Sequence, residues 1–284
     1  MRADVIVLGS GPAGLAAAAA LRGRGKDVLV AGNDWRESPL ARAERVDNYL
    51  GLPGLTGREL LERFHRHVLD AGARAITGRV ISLMAWDGFA VTVGGETCQG
   101  TALVLAQGVV RQAKLPGEEE YLGRGVSYCA TCDGMLYRGR PVAVAGLSGD
   151  APLEANYLKS LGCQVVYVSP APAEGLDPEI PQVRARKLAV RGEKTVAALN
   201  ADGTDIPCQG IFILRQAVAP TDLLPQLETR EGFLAVDRAM ATNVPGVFAA
   251  GDCTGGPLQV AKAVGEGHVA GLSAADYVEQ KKKQ

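Results

Sequence analysis

The strongest constraint on this chain lies at its start. An apolar run, Val5-Ile6-Val7-Leu8, passes straight into Gly9-Ser10-Gly11-Pro12-Ala13-Gly14 and then into a stretch rich in Ala and Leu. The apolar run predicts a buried parallel strand at 4–8, the following residues a helix at 12–23, and residues 27–31 a second strand, so the chain opens with a βαβ unit and an α/β fold. The glycines have separate tasks: Gly9 allows the tight turn, Gly11 lets backbone approach a pyrophosphate, and Gly14 lets helix pack on strand. The glycine spacing alone is weak evidence, but its position between a strand and a helix makes this a dinucleotide site.

The opening pattern recurs. Residues 142–145 read as a strand, Gly146-Leu147-Ser148-Gly149-Asp150-Ala151 follows, and a helix at 154–161 leads to a strand at 165–168. Two Rossmann-like domains of three-layer ββα type are therefore expected, the second inserted within the first. The boundaries fall at 1–112 and 238–284 for the outer domain and 113–237 for the inserted one. With 284 residues, 47% of them hydrophobic, the chain can bury two cores.

The return to the outer domain carries Val247-Phe248-Ala249-Ala250-Gly251-Asp252, then a helix from residue 257 or 258. An acid at the end of a buried strand can bind ribitol hydroxyls, and the next helix N-terminus offers positive potential to a flavin edge, so this reads as the second half-site for FAD. Candidate cofactor contacts are Gly9, Gly11, Pro12, Ala13, Gly14, Asp34, Asn48, Ala106, Gly108, Gly251, Asp252, Gln259 and Val260. Asp34 follows Gly32-Asn33 near where a ribose-binding acid belongs, and it suits a plain turn equally well. Trp35 beside it has two readings, stacking on adenine or a second flavin and ordinary packing.

Between these motifs, residues 45–54 read as loop. Thr56 with Glu59 predicts a capping box opening an amphipathic helix to residue 72. His65 and His67 lie in that helix without partners at metal-ligand spacing, which points to surface or packing roles. Residues 78–84, 89–93 and 97–105 alternate as antiparallel strands, and 220–227 read as loop.

The other chemical feature is Tyr128-Cys129-Ala130-Thr131-Cys132-Asp133-Gly134. Two thiols at this spacing at a helix start can close a small disulfide, and the helix N-terminus favours a thiolate. Half a zinc site is the alternative, but no second cysteine pair or histidine cluster follows. The other cysteines, at 98, 163, 208 and 253, are scattered and read as core, a usage that suits a reducing compartment. Thirty basic residues against 31 acidic ones give no grounds for a nucleic-acid or membrane-surface binder, and Lys281-Lys282-Lys283 reads as a solvated tail. No signal pattern and no apolar run of membrane-spanning length is present, so a cytoplasmic location is expected.

GSGPAG at 9–14, VDNYLG at 46–51, GVSYCATCDG at 125–134 and VFAAGDC at 247–253 together resemble the low-molecular-weight thioredoxin reductase family. The resemblance spans nearly the whole chain. It implies a homodimer, an FAD domain split around a pyridine-nucleotide domain that carries the CxxC pair, and thioredoxin or a thioredoxin-like protein as acceptor. It assigns Cys132 to the flavin-proximal thiol, Cys129 to the thiol that attacks the substrate disulfide, and Asp133 to the acid that moves the proton.

The chain departs from that pattern in the inserted domain. Ser148 stands where a pyrophosphate-facing glycine belongs, Asp150 adds negative charge there, and the strand at 165–168 ends in Ser169-Pro170-Ala171 in place of an arginine cluster for the 2′-phosphate. The domain is expected to keep its fold and to have lost NADPH. The chain then resembles the pyridine-nucleotide-independent branch, which includes ferredoxin-linked flavin thioredoxin reductases and deeply branching relatives; CATCDGMLYRGRPVAV at 129–144, FILR at 212–215 and AVGEG at 263–267 agree with it. The expected function is flavin-dependent disulfide reduction with ferredoxin as donor. Two further readings are a reductase with a second flavin and a redox-inactive protein that keeps FAD for sensing or binding.

Overall fold

The structure is a computed structural model that describes residues 1–109, 114–215 and 217–283. Its chain contacts fall into two compact units: Met1–Val110 joined by Ala217–Gln284, and Arg111–Gln216 between them in sequence. The expected first boundary, 112/113, lies outside the described residues. The second comes about twenty residues earlier than expected, since 217–237 belongs with the first unit and not with the insertion. Local bonds explain the shift: Gln226 O and Glu228 N are both tied to the Asn243 side chain, at 2.7 and 3.0 Å.

In chain order the first unit begins with β1 (Arg2–Leu8), α1 (Pro12–Gly23), β2 (Val28–Gly32), α2 (Gly57–Asp70), β3 (Arg74–Thr77), β4 (Val80–Trp86), β5 (Gly88–Val93) and β6 (Glu96–Leu105). The second unit holds α3 (Glu118–Tyr121), β7 (Val126–Ser127), α4 (Ala130–Asp133), β8 (Pro141–Leu147), α5 (Ala151–Ser160), β9 (Gln164–Ser169), β10 (Gln182–Arg184), β11 (Leu188–Gly192), β12 (Val196–Ala201), β13 (Thr204–Pro207) and β14 (Gly210–Arg215). The first unit resumes with α6 (Pro220–Leu223), β15 (Thr229–Arg230), β16 (Phe233–Leu234), β17 (Val247–Ala249) and α7 (Val260–Lys281).

The first unit's main sheet runs β3-β2-β1-β6-β5-β4. Strands β1, β2 and β3 are parallel to one another and β6 is parallel to β1, whereas β4 and β5 join antiparallel. β6 has two partners on one side: residues 96–100 pair with β5, and Leu103–Leu105 pair in parallel with Val247–Ala249 of β17. In the second unit, β10-β9-β8-β14-β7 form a parallel sheet, beside a meander of β11-β12-β13. Its layers match the ββα expectation, with Val142, Val144 and Phe212 buried together with α5 residues and Ala143, Ala145 and Ile211 buried together with the meander.

Several local readings need correction. α5 starts at Ala151 rather than 154, because Pro152 sits in the first turn, where its missing N–H costs nothing. α7 starts at Val260 rather than 257 or 258, since Gln259 is still extended at φ −131°, ψ 142°. Residues 220–223, expected as loop, form a helical turn with proline at its start. β3 was not expected: three of its four residues are exposed, so it carries no apolar signal, and only the parallel bonds to β2 reveal it.

α1 and α7 pack through small residues. A Cβ on Gly267 would lie 2.1 Å from Ala13 O, and one on Gly271 2.5 Å from Ala17 O. Backbone leaves no flexible group to move aside, so Gly267→Ala is expected to destabilise the protein by about 1–3 kcal/mol, read as a lower urea midpoint with an unchanged m-value. Among the described residues no helix is long and apolar enough to cross a membrane.

Candidate functional site

The glycine turn after β1 is packed from both sides. Gly9 has φ +126°, a region disfavoured for side-chain-bearing residues, and a Cβ there would lie 2.1 Å from Ala106 O at the end of β6. A Cβ on Gly14 would lie 1.9 Å from Gly9 O, so the first turn of α1 presses directly on the loop. Around Gly11, the N-cap of α1, nothing lies within 4 Å of such an atom, which leaves its backbone open to a ligand. Pro12 occupies the first helical position, and the first turn of α1 carries no acid. An anion brought to this loop therefore meets the free N–H groups of a twelve-residue helix.

The two halves predicted from the chain ends meet in this unit. A Cβ on Gly251 would lie 2.7 Å from Ala13 Cβ, and Asn48 Nδ2 donates to Gln259 Oε1 at 2.6 Å, immediately before Val260 opens α7. Gly108 follows the end of β6 at φ +70°, past the buried Ala106. Gln107 Oε1, between them, is buried with no hydrogen-bond partner among the described residues. An orphaned acceptor next to an open glycine turn is a mark of a site built for a polar ligand. The cradle thus fits a flavin dinucleotide on its glycines, its open backbone and this unmet acceptor.

A pair absent from the sequence expectations fixes the Gly251-Asp252 corner. Lys262 Nζ donates to Gly251 O and Gly255 O, each at 2.7 Å, and to Thr254 Oγ1 at 3.0 Å. Glu266, four residues on along α7, pairs with Lys262 at 2.9 Å and accepts from Gly251 N at 2.9 Å and Thr254 Oγ1 at 2.8 Å. The signal was the i,i+4 Lys-Glu spacing in the first turns of α7. Burial pushes the Asp252 carboxyl above its ordinary range, with Lys262 opposing and Glu266 adding to the shift.

Asp34 lies in a turn. Its Oδ1 accepts from Arg36 N at 2.9 Å and lies 3.3 Å from the Arg36 guanidinium. Trp35 stacks on His65 with ring centroids 5.0 Å apart, and Arg36 lies 4.6 Å from the indole centroid. His65 Nε2–H donates to Ser10 O at 2.9 Å, so this histidine holds the glycine turn. Burial lowers its basicity, which suits a neutral ring in that bond.

The redox pair lies in the second unit. Cys129 and Cys132 form a disulfide across the start of α4, with Cα atoms 5.3 Å apart. Ser127 organises it: its Oγ donates to Asp133 Oδ2 at 2.6 Å and accepts from Cys129 N at 3.1 Å. Cys132 N points to Cys129 Sγ at 3.0 Å, and Ala130 N donates to Glu154 Oε2 at 3.1 Å. Cys129 is only 5% exposed, whereas Cys132 is an exposed residue. Cys98, Cys163, Cys208 and Cys253 are free and buried, and burial pushes Cys208 up to about 11 and Cys253 to about 12. Thiolate chemistry at neutral pH is thereby confined to the CxxC pair.

Tyr128, between Ser127 and Cys129, is anchored to a buried charge. Its hydroxyl donates to Glu118 Oε1 at 2.8 Å, Arg215 bridges both Glu118 oxygens at 2.6 and 2.5 Å, and Leu115 N donates to Oε2 at 2.7 Å. In the second glycine turn, Ser148 Oγ is buried without a hydrogen-bond partner among the described residues, and Asp150 is the N-cap of α5. At the end of β9, Ser169 Oγ donates to Ala171 O at 2.6 Å, while Gln182 Nε2 donates to both Ser169 Oγ and Ala171 O. Sequence reading found no cation at this strand end, yet the parallel register brings exposed Arg184 of β10 opposite Ser169.

The family model for pyridine nucleotide-disulphide oxidoreductases matches residues 3–267. A thioredoxin reductase of Aquifex aeolicus is 33% identical over 305 residues, covering 99% of this chain and 94% of that protein. A crystal structure of a ferredoxin-flavin thioredoxin reductase from Clostridium acetobutylicum is 38% identical, covers 100% of this chain and 99% of its own, and superposes with a TM-score of 0.89. The atypical thioredoxin reductase TRi of Desulfovibrio vulgaris Hildenborough is 35% identical with 99% of both chains covered and a TM-score of 0.73.

Proposed function

Since the chain belongs to the pyridine nucleotide-disulphide oxidoreductases and, within them, to the thioredoxin reductase family, we propose that it reduces thioredoxin or a thioredoxin-like protein with electrons from ferredoxin, without NADPH. In this reading it works as a homodimer. Gly9, Gly11, Pro12, Ala13, Gly14, Asn48, Ala106, Gly108, Gly251, Asp252, Gln259 and Val260 would hold FAD, and Asp34 would meet its adenosine ribose. Bound there, FAD supplies the link between one-electron donors and two-electron disulfide chemistry. Asp133, held by Ser127, handles the proton that thiol exchange must move, and Cys129 and Cys132 carry the electron pair to the acceptor.

The observation that carries the NADPH-free reading is the turn from β8 into α5. An acid, Asp150, stands at the N-cap position of the helix whose N-terminus would have to receive the coenzyme's pyrophosphate, and Ser148 puts a side chain where bare backbone is needed. Losing charge-assisted bonds worth about 1.5–3 kcal/mol each weakens a nucleotide by roughly 10²-fold or more when two are lost. Arg184 favours a second reading in which the coenzyme is retained, since it sets a cation one strand spacing from the end of β9. One experiment decides between them. The purified flavoprotein is mixed anaerobically with NADPH, NADH or reduced ferredoxin while the flavin band is followed by stopped flow. Rapid bleaching by ferredoxin alone is expected, and rapid bleaching by micromolar NADPH would return the chain to the NADPH-dependent reductases.

A further inference from the structure

Glu154 belongs to α5, the helix that follows the second glycine turn, yet its carboxylate serves the redox pair. Oε2 takes the amide hydrogen of Ala130, the residue directly after Cys129, at 3.1 Å. Three other amides of this turn go elsewhere: Cys132 N to Cys129 Sγ at 3.0 Å, Cys129 N to Ser127 Oγ at 3.1 Å, and Asp133 N to Cys129 O at 3.2 Å. Reduction of the disulfide breaks the S–S bond, adds two electrons and takes up two protons to give two thiols. One proton fewer is taken up when the Cys129 sulfur remains a thiolate. Amide hydrogens directed at sulfur favour that thiolate, and a carboxylate beside it disfavours it.

We propose that Glu154, acting through the Ala130 amide, is a positioning residue that makes the Cys129–Cys132 pair a stronger reductant than the CxxC turn would be without it. The inference rests on the reading of this pair as the redox centre. The titratable groups around the pair are Asp133 on α4, bound by Ser127; Glu154 on α5; Tyr128, bound to Glu118; and Tyr137 in the 3-10 turn Gly134–Tyr137, whose hydroxyl is pushed up by burial and then by Asp133. Glu154 is the carboxylate among these that bonds an amide of the turn itself.

Glu154→Gln keeps an acceptor oxygen for Ala130 and removes the charge. The full-length flavoprotein is equilibrated with dithiothreitol redox buffers, and its thiols are trapped by alkylation. At pH 8.5 the variant's pair is expected to shift about tenfold toward the dithiol, equivalent to about 30 mV. The alkylation midpoint of Cys129 falls by about one pH unit. At pH 5.5, with the sulfurs protonated, the two redox curves converge. Glu154→Asp, which retains the charge, stays with the wild type. An unchanged Glu154→Gln curve at pH 8.5, an equal shift at both pH values, or a Glu154→Asp variant that moves with Glu154→Gln would overturn the proposal. A wild-type pair that dithiothreitol cannot reduce at all would instead remove the functional reading beneath it.

Discussion

Replacing either redox cysteine with serine lowers thioredoxin turnover by on the order of 10³-fold or more, because serine oxygen neither forms nor accepts a disulfide and the pair works as a unit. The two variants differ in what they trap. With Cys132→Ser, Cys129 remains to attack an acceptor disulfide, and with no second sulfur to resolve it the mixed disulfide accumulates. With Cys129→Ser, the remaining Cys132 yields no stable complex. The exposure pattern makes this a demanding expectation, since Cys129 is 5% exposed and Cys132 lies outside. For Cys129 to reach a protein disulfide, the shell of Ser127, Thr131 and Asp133 around it must open. Trapping of a single-cysteine acceptor activated as its mixed disulfide with thionitrobenzoate, which leaves as the thiolate when the enzyme thiol attacks, checks both halves by non-reducing electrophoresis. A complex formed by Cys132 alone would move the attacking role to the exposed sulfur.

The second large effect concerns Glu118. This carboxylate is fully buried, so burial pushes its pKa up; the bonds from Arg215, Leu115 N and Tyr128 outweigh that and hold it below the ordinary carboxylate range. A carboxyl whose folded pKa is depressed contributes stability that is full above its unfolded value and is lost as pH falls through the folded one. Arg215→Met removes the cation and leaves the charge buried, at a cost of about 3–5 kcal/mol at pH 7. In that variant burial dominates, so the deficit narrows on acidification as Glu118 takes up a proton. Adding Glu118→Leu is expected to return most of the loss, since a removed pair costs far less than a broken one. Denaturation curves for the single and double variants at pH 7 and pH 4 test this, and a single variant within 1 kcal/mol of wild type at pH 7 would refute it.

The parts of the fold visible in the sequence are those with short-range causes. Thr56 and Glu59 form the expected reciprocal cap, with Thr56 Oγ1 accepting from Glu59 N at 3.2 Å and Glu59 Oε2 accepting from Thr56 N at 2.8 Å. β1 and α1 lie where the apolar run and glycines put them, and the CxxC spacing closes its disulfide. What stayed hidden depends on partners distant along the chain. Glu118 lies 97 residues from Arg215, and nothing around Glu118-Glu119-Glu120 separates the buried carboxylate from the two that follow it. Glu154 is 24 residues from Ala130 and reads as an ordinary polar position of a helix. Arg184 is invisible along β9 itself, because parallel pairing brings this cation from the neighbouring strand.

The pairing of β17 with the far half of β6 also orders events in time. A ribosome releases the N-terminus first, so Leu103–Leu105 leaves it about 140 residues before Val247–Ala249, roughly 7–28 s at about 5–20 residues per second. During that interval the edge carries unpaired amides and carbonyls on its most apolar segment, and every described strand of the inserted unit is made within it. The sheet that holds the glycine turn is thus finished only when roughly the last 40 residues of the chain arrive. The corner carrying Gly251 and Asp252 and the strand that closes this edge arrive together, so a nascent chain gains its complete cofactor cradle in the same step that removes its exposed edge.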